Sequence, residues 1–470
     1  MPDAEPAGAL ALVLHSHMPY VEGFGTYPFG EEMLFDAFVR SHLPVLAVAD
    51  RLTLTVTPVL ADQLEASGVA ERMARFLREH RLGAAQAEAA EAGPELEPAA
   101  RDHERRYRWA LERLEALGPE PLAAFRGPAR SGRIALAASA ATHAVLPLLA
   151  TRAARRLQVD AGLRSHRRRF GEPRGFWLPE CGYEPGLEEL LAEHGLGWFC
   201  VNQAAHEPAE AALAPVASPG GPVAFTLDWE ATRWVWSPRG YPADATYADS
   251  FRRSDRGLPL WAVGGGPYDP ERARATARRQ AADFVARLRD RLARYRGERG
   301  RAGLAVVAFD TELLGHWWWE GPEWLAEVLR RASEGGIELV TLDEALDRFE
   351  PEPRALRRST WGAGLGLRTW DAPAVADLAW AARRLELRLL RALGQGMPEP
   401  AAERAARELL AVQSSDWAFL DGRGDAGDYP FERATAHARA LLDAIHSPGR
   451  AAPSLRNLAP DLSLAPLTTP

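Results

Sequence analysis

Lysine is absent: all 56 basic side chains are arginine. That removes Schiff-base catalysis and any phosphate-loop lysine from consideration. Cysteine is almost absent too, with only Cys181 and Cys200. Neither a disulfide framework nor a four-thiolate zinc site can be built from two thiols, and a reducing, cytoplasmic setting is expected. No apolar run approaches the roughly 18 residues that span a bilayer. The acidic, proline-containing segment Met1–Gly8 has no basic stretch ahead of its apolar run and does not read as a signal peptide. An excess of positive charge is missing as well, since the net charge is −8 and the isoelectric point 5.9. No field therefore attracts nucleic acid or an anionic membrane, whereas a neutral polymer is a compatible partner.

What is present suffices for a large core: 470 residues, 47% of them hydrophobic, predict two or three domains. Short apolar runs of strand length fall at about 9–16, 52–58, 133–139, 174–179, 197–202, 304–309 and 337–342. Helical stretches separate them, such as Arg101 to Leu117, with Tyr107, Leu111 and Leu114 on one face, and Glu271 to Tyr295, with Phe284, Leu288 and Leu292 on one face. Strand–helix alternation predicts an α/β fold with a parallel sheet, and the polar and aromatic clusters at strand C-termini favour a barrel with its site on that face. The Ala-, Glu- and Arg-rich stretch of about 66–130 is too long for one connection and reads as a helical insertion. The Gly-, Pro- and Trp-rich stretch of about 203–266 reads as an excursion over the site, because Trp229, Trp234, Trp236 and Trp261 are costly in a mere tether. A catalytic unit is thus expected over 1–350 and an all-α domain over 351–450, with Trp380 in its core. A loosely ordered tail is expected over 451–470.

Two acidic residues stand at strand ends. Glu180 lies in Trp177-Leu178-Pro179-Glu180-Cys181-Gly182-Tyr183, and Asp310 follows the apolar run Leu304 to Phe309, with Glu312, His316 and the triplet Trp317-Trp318-Trp319 behind it. Cleaving a glycosidic bond needs one carboxyl to protonate the leaving oxygen and another to attack or stabilise the sugar ring. Indoles stack on pyranose faces, and the chain carries 15 Trp against 9 Tyr. The plainer reading makes Glu180 a turn cap, Asp310 a helix N-cap and the Trp triplet core. His15 and His17 project to one side of the first strand, and His143 follows the third. These histidines suit sugar hydroxyls or a metal. In the helical region Trp361, Trp370, Asp416 and Trp417 are expected to wall a cleft at the domain junction.

These segments resemble glycoside hydrolase family 57, in its 1,4-α-glucan (glycogen) branching-enzyme group. His15-Ser16-His17-Met18-Pro19-Tyr20-Val21 with Gly30-Glu31-Glu32 is similar to the first family motif, and Ala140-Ala141-Thr142-His143 with Leu146-Pro147 to the second. Trp177 to Tyr183 resembles the third, Ala308 to Leu313 with Gly315-His316-Trp317-Trp318 the fourth, and Gln413 to Trp417 the fifth. The resemblance implies an incomplete (β/α)7 barrel followed by helices, a retaining mechanism without a cofactor, and an α-1,4-glucan such as amylose or a glycogen-like polymer as partner. It makes Glu180 the nucleophile and Asp310 the acid/base, with carboxyls about 5–5.5 Å apart. It marks Arg252, Trp261, Gly264, Trp361, Trp370 and Asp416 as glucan-binding positions. Met33 stands where relatives often carry Trp, and Ala135 where an acidic residue is usual. Branching members shield the covalent intermediate with a loop tyrosine, yet Asn202 to Trp236 contains no Tyr; Phe225 and Tyr241 are the substitutes within reach. Branching is the expected activity. A 4-α-glucanotransferase or amylase with the same pair, a metal-dependent deacetylase and a silent glucan-binding protein are the competing expectations.

Overall fold

The computed structural model describes residues 6–23, 25, 30–205, 212–424 and 426–468. Met1 to Glu5, in the segment read for a leader, and 206–211, in the expected excursion, lie outside the described residues.

Among the described residues ten strands form one sheet: β1 (Gly8–Ser16), β2 (Leu52–Val56), β3 (Ile134–Ser139), β4 (Gly175–Trp177), β5 (Trp198–Val201), β6 (Val216–Ala217), β7 (Val223–Thr226), β8 (Gly303–Asp310), β9 (Ile337–Leu339) and β10 (Glu352–Pro353). Around the ring β8, β1, β2, β3, β4, β5 and β7 pair in parallel. An isolated bridge, Leu227 to Val306, joins β7 back to β8, with Asp228 N–H donating to Val306 O at 2.7 Å. This is an incomplete (β/α)7 barrel followed by helices.

All seven expected strands form, but the seventh stave is not the run at 337–342. β9 pairs with Gly8 to Leu10 at the foot of β1, while β2 takes Val13 to Ser16 above it. The stave is β7, inside the stretch assigned to the excursion. Its four residues, preceded by Gly220-Gly221-Pro222, are too short a run for periodicity to mark.

The two-residue period of the strands decides what meets what. Leu10, Leu12 and Leu14 of β1, Leu52 and Leu54 of β2, and Ala305, Val307 and Phe309 of β8 face the surrounding helices. Ala9, Ala11 and Val13, Ala137 of β3, Trp177 of β4, Trp198 and Cys200 of β5, Phe225 of β7, and Leu304, Val306 and Ala308 fill the interior. Small residues on β1, β3 and β8 make room for the large rings of β4, β5 and β7. Continuing each inward series one step toward the C-terminal mouth brings His15, Ser139 and Asp310 to the same end of the barrel.

The insertion is helical, with Glu97–Leu117 its longest element, and helices Ala376–Gly394, Glu399–Val412, Ser415–Arg423 and Tyr429–His446 follow the barrel. Two expectations fail here. Trp380 is 59% exposed with the Arg383 guanidinium over its ring, not core. Its helix buries Leu385 and Leu389, and at about 100° per residue a position five earlier points well away from that stripe. The tail is packed, not loose: Leu458 and Leu467 are buried, Ala459 N–H donates to Asp62 Oδ2 at 2.8 Å, and Arg168 pairs with Asp461 at 2.8 Å. Its prolines and lack of charge resemble a coil, but its leucines find the last apolar surface of the molecule. Among the described residues no helix is long and apolar enough to cross a membrane.

Candidate active site

Glu180 leaves the barrel on a strained turn. Immediately after β4 the segment Pro179–Cys181 folds tightly, with Glu180 at φ 59°, ψ 22° and Cys181 at φ 49°. Left-handed backbone costs a non-glycine residue about 1–2 kcal/mol, and two in succession at a strand end mark a site where geometry outweighs stability. Gly175 is required below them, since a Cβ there would overlap the Trp198 ring. The turn presents the Glu180 carboxylate to two donors from the helical region: Trp361 Nε1–H to Oε2 at 2.7 Å and Ser415 Oγ–H to Oε1 at 3.2 Å. His143 Nδ1 stands 3.6 Å from Oε1 and 2.8 Å from Ser415 Oγ.

Asp310 completes the inward series of β8 and lies in register with His15 of β1. It precedes a short turn, Thr311–Leu313, yet its side chain makes no capping bond to that turn, so the helix-cap reading does not apply. The next residues anchor the segment. Thr311 Oγ1 meets Ser16 Oγ at 2.8 Å, and Glu312 Oε1 accepts from His17 N–H at 3.1 Å and contacts His42 Nε2 at 2.6 Å. His42 lies on a π-helical turn, Phe38–His42, a widened geometry that recurs near functional sites. Gly315, at φ 104°, lets the chain pass Arg40 O, which a Cβ would strike.

Three histidines stack across the mouth. Ring centroids lie 4.7 Å apart for His15 and His143 and 4.1 Å for His17 and His143, and His15 rests on Trp177 at 5.1 Å. His17 is held at both nitrogens, by Thr57 Oγ1 at 3.0 Å and Asp416 Oδ1 at 3.0 Å. Both ring nitrogens of His15 and Nε2 of His143 are buried without a protein partner.

Burial pushes the Glu180 carboxyl up to about 7, against the opposing pull of the Trp361 donor and the His17 charge. Asp310 is held well above the carboxylate range, first by burial and then by the charges of Glu312 and Glu180. That repulsion means the two carboxyls share one field. Burial alone would lower His17, but Asp416, Glu312 and Glu180 raise it, whereas burial keeps His15 and His143 neutral. Of the acid pair Glu180 has two donors that stabilise its carboxylate, whereas the carboxylates of Glu312 and Glu180 oppose ionisation of Asp310.

Residues 11–355 match the family described as Glycosyl hydrolase family 57. The chain belongs to glycosyl hydrolase family 57. Residues 379–458 of this family 57 protein match the region described as 1,4-alpha-glucan branching enzyme, C-terminal. It is 33% identical to a probable 1,4-alpha-glucan branching enzyme of Mycobacterium tuberculosis, over 93% of this chain and 91% of that one. It is 32% identical to a 1,4-alpha-glucan branching enzyme of Thermococcus kodakarensis, over 92% of this chain and 72% of that one. The crystal structure of the family 57-type branching enzyme of Pyrococcus horikoshii superposes with a TM-score of 0.92 at 28% identity, covering 98% and 97% of the two chains.

The fold of this family 57 chain gathers His15, His17, His143, Glu180, Trp361 and Asp416 around one point, and brings Asp310 within their electrostatic reach. Other marked residues lie differently. Trp370 is 3% exposed among Val145, Val375 and Ala418, and Trp417 is 2% exposed with Nε1–H donating to Ala411 O at 2.7 Å. Both line a small cavity of about 50 Å³ with Ser415, Leu148, Ala379 and Arg383. Arg252 lies over the Trp261 ring and reaches Gly265 O at 3.1 Å, and Gly264 N–H donates to Ala245 O at 2.9 Å, so these three shape one loop. Neither proposed loop substitute covers the site. Phe225 is interior to the barrel, and Tyr241 donates to Asp283 Oδ2 at 2.6 Å. A cavity of about 470 Å³ lined by Gln203, Trp229, Arg233, Trp234 and Arg291 holds none of the acid pair and none of the histidines. Ser415, Thr57 and His42 escaped sequence reasoning. Ser415 stood inside the fifth motif, but a serine beside an aspartate carries no signal of its own.

Proposed function

We propose that this chain is a retaining 1,4-α-glucan branching enzyme, with Glu180 as nucleophile and Asp310 as general acid/base. The observation that carries the assignment is the pair of donors, Trp361 Nε1–H and Ser415 Oγ–H, aimed at the Glu180 carboxylate, while Asp310 faces the like charges of Glu312 and Glu180. Asp310, neutral, donates its proton to the leaving glycosidic oxygen while Glu180 attacks the anomeric carbon, and an ester joins sugar to enzyme. The Asp310 carboxylate then takes the proton from the 6-hydroxyl of a second glucan chain. That oxygen attacks the anomeric carbon, the ester breaks, Glu180 leaves as carboxylate, and an α-1,6 bond is made. Two inversions retain the configuration. Trp361 and Ser415 stabilise the carboxylate form of Glu180 at the start and end of the cycle. The unpaired nitrogens of His15 and His143 are suited to sugar hydroxyls. A catalytic unit over 1–350, completed by Trp361, Ser415 and Asp416 from the helical unit over 351–450, accords with this scheme, and two buried free thiols accord with a cytoplasmic setting.

One observation favours more hydrolysis than a shielded intermediate allows: Phe225 and Tyr241 are both committed elsewhere, so water competes with the acceptor. Amylose incubated with the enzyme and digested with isoamylase decides between the two. New short chains released by the debranching enzyme support branching; reducing ends rising without them give an amylase.

A further inference from the structure

Of the triplet Trp317-Trp318-Trp319, two indoles are core at 2% exposure each, whereas Trp317 is 49% exposed. Its ring meets the 40% exposed ring of Trp236 at a centroid distance of 6.0 Å and an angle of 66°. Two large apolar rings left adjacent in solvent form a patch that a folded protein does not keep for packing. Their place in the barrel is informative. Trp317 N–H donates to Glu312 O at 3.1 Å, two residues beyond Asp310. Trp236 ends the helix Trp229–Val235 that leaves β7, the stave joined to β8 by the Leu227–Val306 bridge. The pair thus flanks the mouth beside β8, while Glu180 leaves from β4, with β5 and β7 between. Trp317 O also accepts from Ser250 Oγ at 2.8 Å, and Phe251 next to it is 98% exposed, so the apolar surface continues along the rim.

We infer that Trp236 and Trp317 form an acceptor-side binding platform for an α-1,4-glucan chain. The inference rests on the branching reading above and adds the side from which the second chain arrives. In a displacement at the anomeric carbon the nucleophile and the departing oxygen lie on opposite faces of the sugar. The chain that leaves therefore departs past the acid/base, and the chain that replaces it enters the same way. Asp310 stands on β8, and the exposed indoles are the apolar surface adjoining that strand end. Pyranose faces stack on indole, and two rings inclined at 66° suit a glucan whose successive units turn about the chain axis.

The test uses Trp236→Ala, Trp317→Ala, the double variant and Trp317→Phe, with thermal unfolding to verify the fold. α-Maltosyl fluoride fills the donor side alone and places no sugar on the platform. Its rate of fluoride release is expected to stay within about twofold of wild type in every variant, while KM for amylose rises and the ratio of branch formation to hydrolysis falls about tenfold in the double variant. Trp317→Phe should recover most of the ratio. An unchanged ratio and KM overturn the platform, as does an equal fall on both substrates, which marks a structural role. If the wild type makes no branches, the branching reading fails by itself. The amylose KM of the variants then still decides the platform, for it if KM rises and against it if KM does not.

Discussion

Removing one hydrogen from the site should move the whole acid limb of the activity profile. Trp361 Nε1–H donates to Glu180 Oε2 at 2.7 Å, and its ring packs edge-on against Trp177 at 5.1 Å. Trp361→Phe keeps an aromatic ring in that position and deletes the donor. A hydrogen bond to a charged group contributes about 1.5–3 kcal/mol, and each pKa unit corresponds to about 1.36 kcal/mol. The donor stabilises the carboxylate, so its loss favours the protonated form and raises the Glu180 pKa by about 1–2 units from its present value of about 7. In the proposed mechanism only the ionised form of Glu180 attacks. The acid limb of kcat/KM, which reports the free enzyme, should move from about pH 7 to about pH 8–9, narrowing the bell from the acid side. Initial rates on amylose between pH 5 and 10 at constant ionic strength provide the measurement. A limb that stays in place while rates fall equally at every pH would refute the reasoning and leave Trp361 as a sugar-contacting surface alone.

Two further outcomes follow from the same electrostatics. Glu180→Gln should abolish turnover yet stabilise the fold above neutrality. The folded-state pKa is raised from 4.5 to about 7, so the wild type has its full stability below about pH 4.5 and loses up to about 3 kcal/mol as pH rises through 7. The neutral amide loses nothing, and the melting-temperature gap between variant and wild type should be near zero at pH 4.5 and open by a few degrees at pH 8. A gap that does not widen with pH is inconsistent with the assignment. Asp416→Asn should lower the His17 pKa, since Asp416 is the largest of the charges raising it against burial; the His17 ring signals followed by NMR titration decide this, and an unmoved titration counts against the pairing.

The strand ends were legible because the relevant signals are local. An apolar run with inward residues at 304, 306 and 308 obliges residue 310 to face inward at the mouth, and the same count from 9, 11 and 13 leads to His15. Family motifs then gave these positions their expected chemistry, and the helices around the barrel followed from their apolar stripes. What was illegible depends on closure. The Glu312–His42 contact spans 270 positions in the chain, and no pattern within either segment announces it. Ser415 matters only because the helix it opens is set against the β4 turn, where its hydroxyl serves both Glu180 and His143.

Phe225 shows the limit most plainly. As a side chain in a Gly- and Pro-rich stretch it was a reasonable candidate to cover the site, but the four residues of β7 complete the ring between β5 and β8. Its ring then lies inside against Trp198, at 5.9 Å. Interior volume, not local sequence, placed it there: small residues at 9, 11, 137 and 308 leave space that a large ring on the opposite staves must fill. The same closure positions the mouth. With β7 in the ring, β8 is flanked on both sides, Asp310 is half-buried at the mouth with its pKa raised, and the exposed indoles of Trp236 and Trp317 are left on the rim beside it. Had the excursion contributed no stave, Asp310 would stand at an open sheet edge, accessible to solvent, and the burial that raises its pKa would be lost.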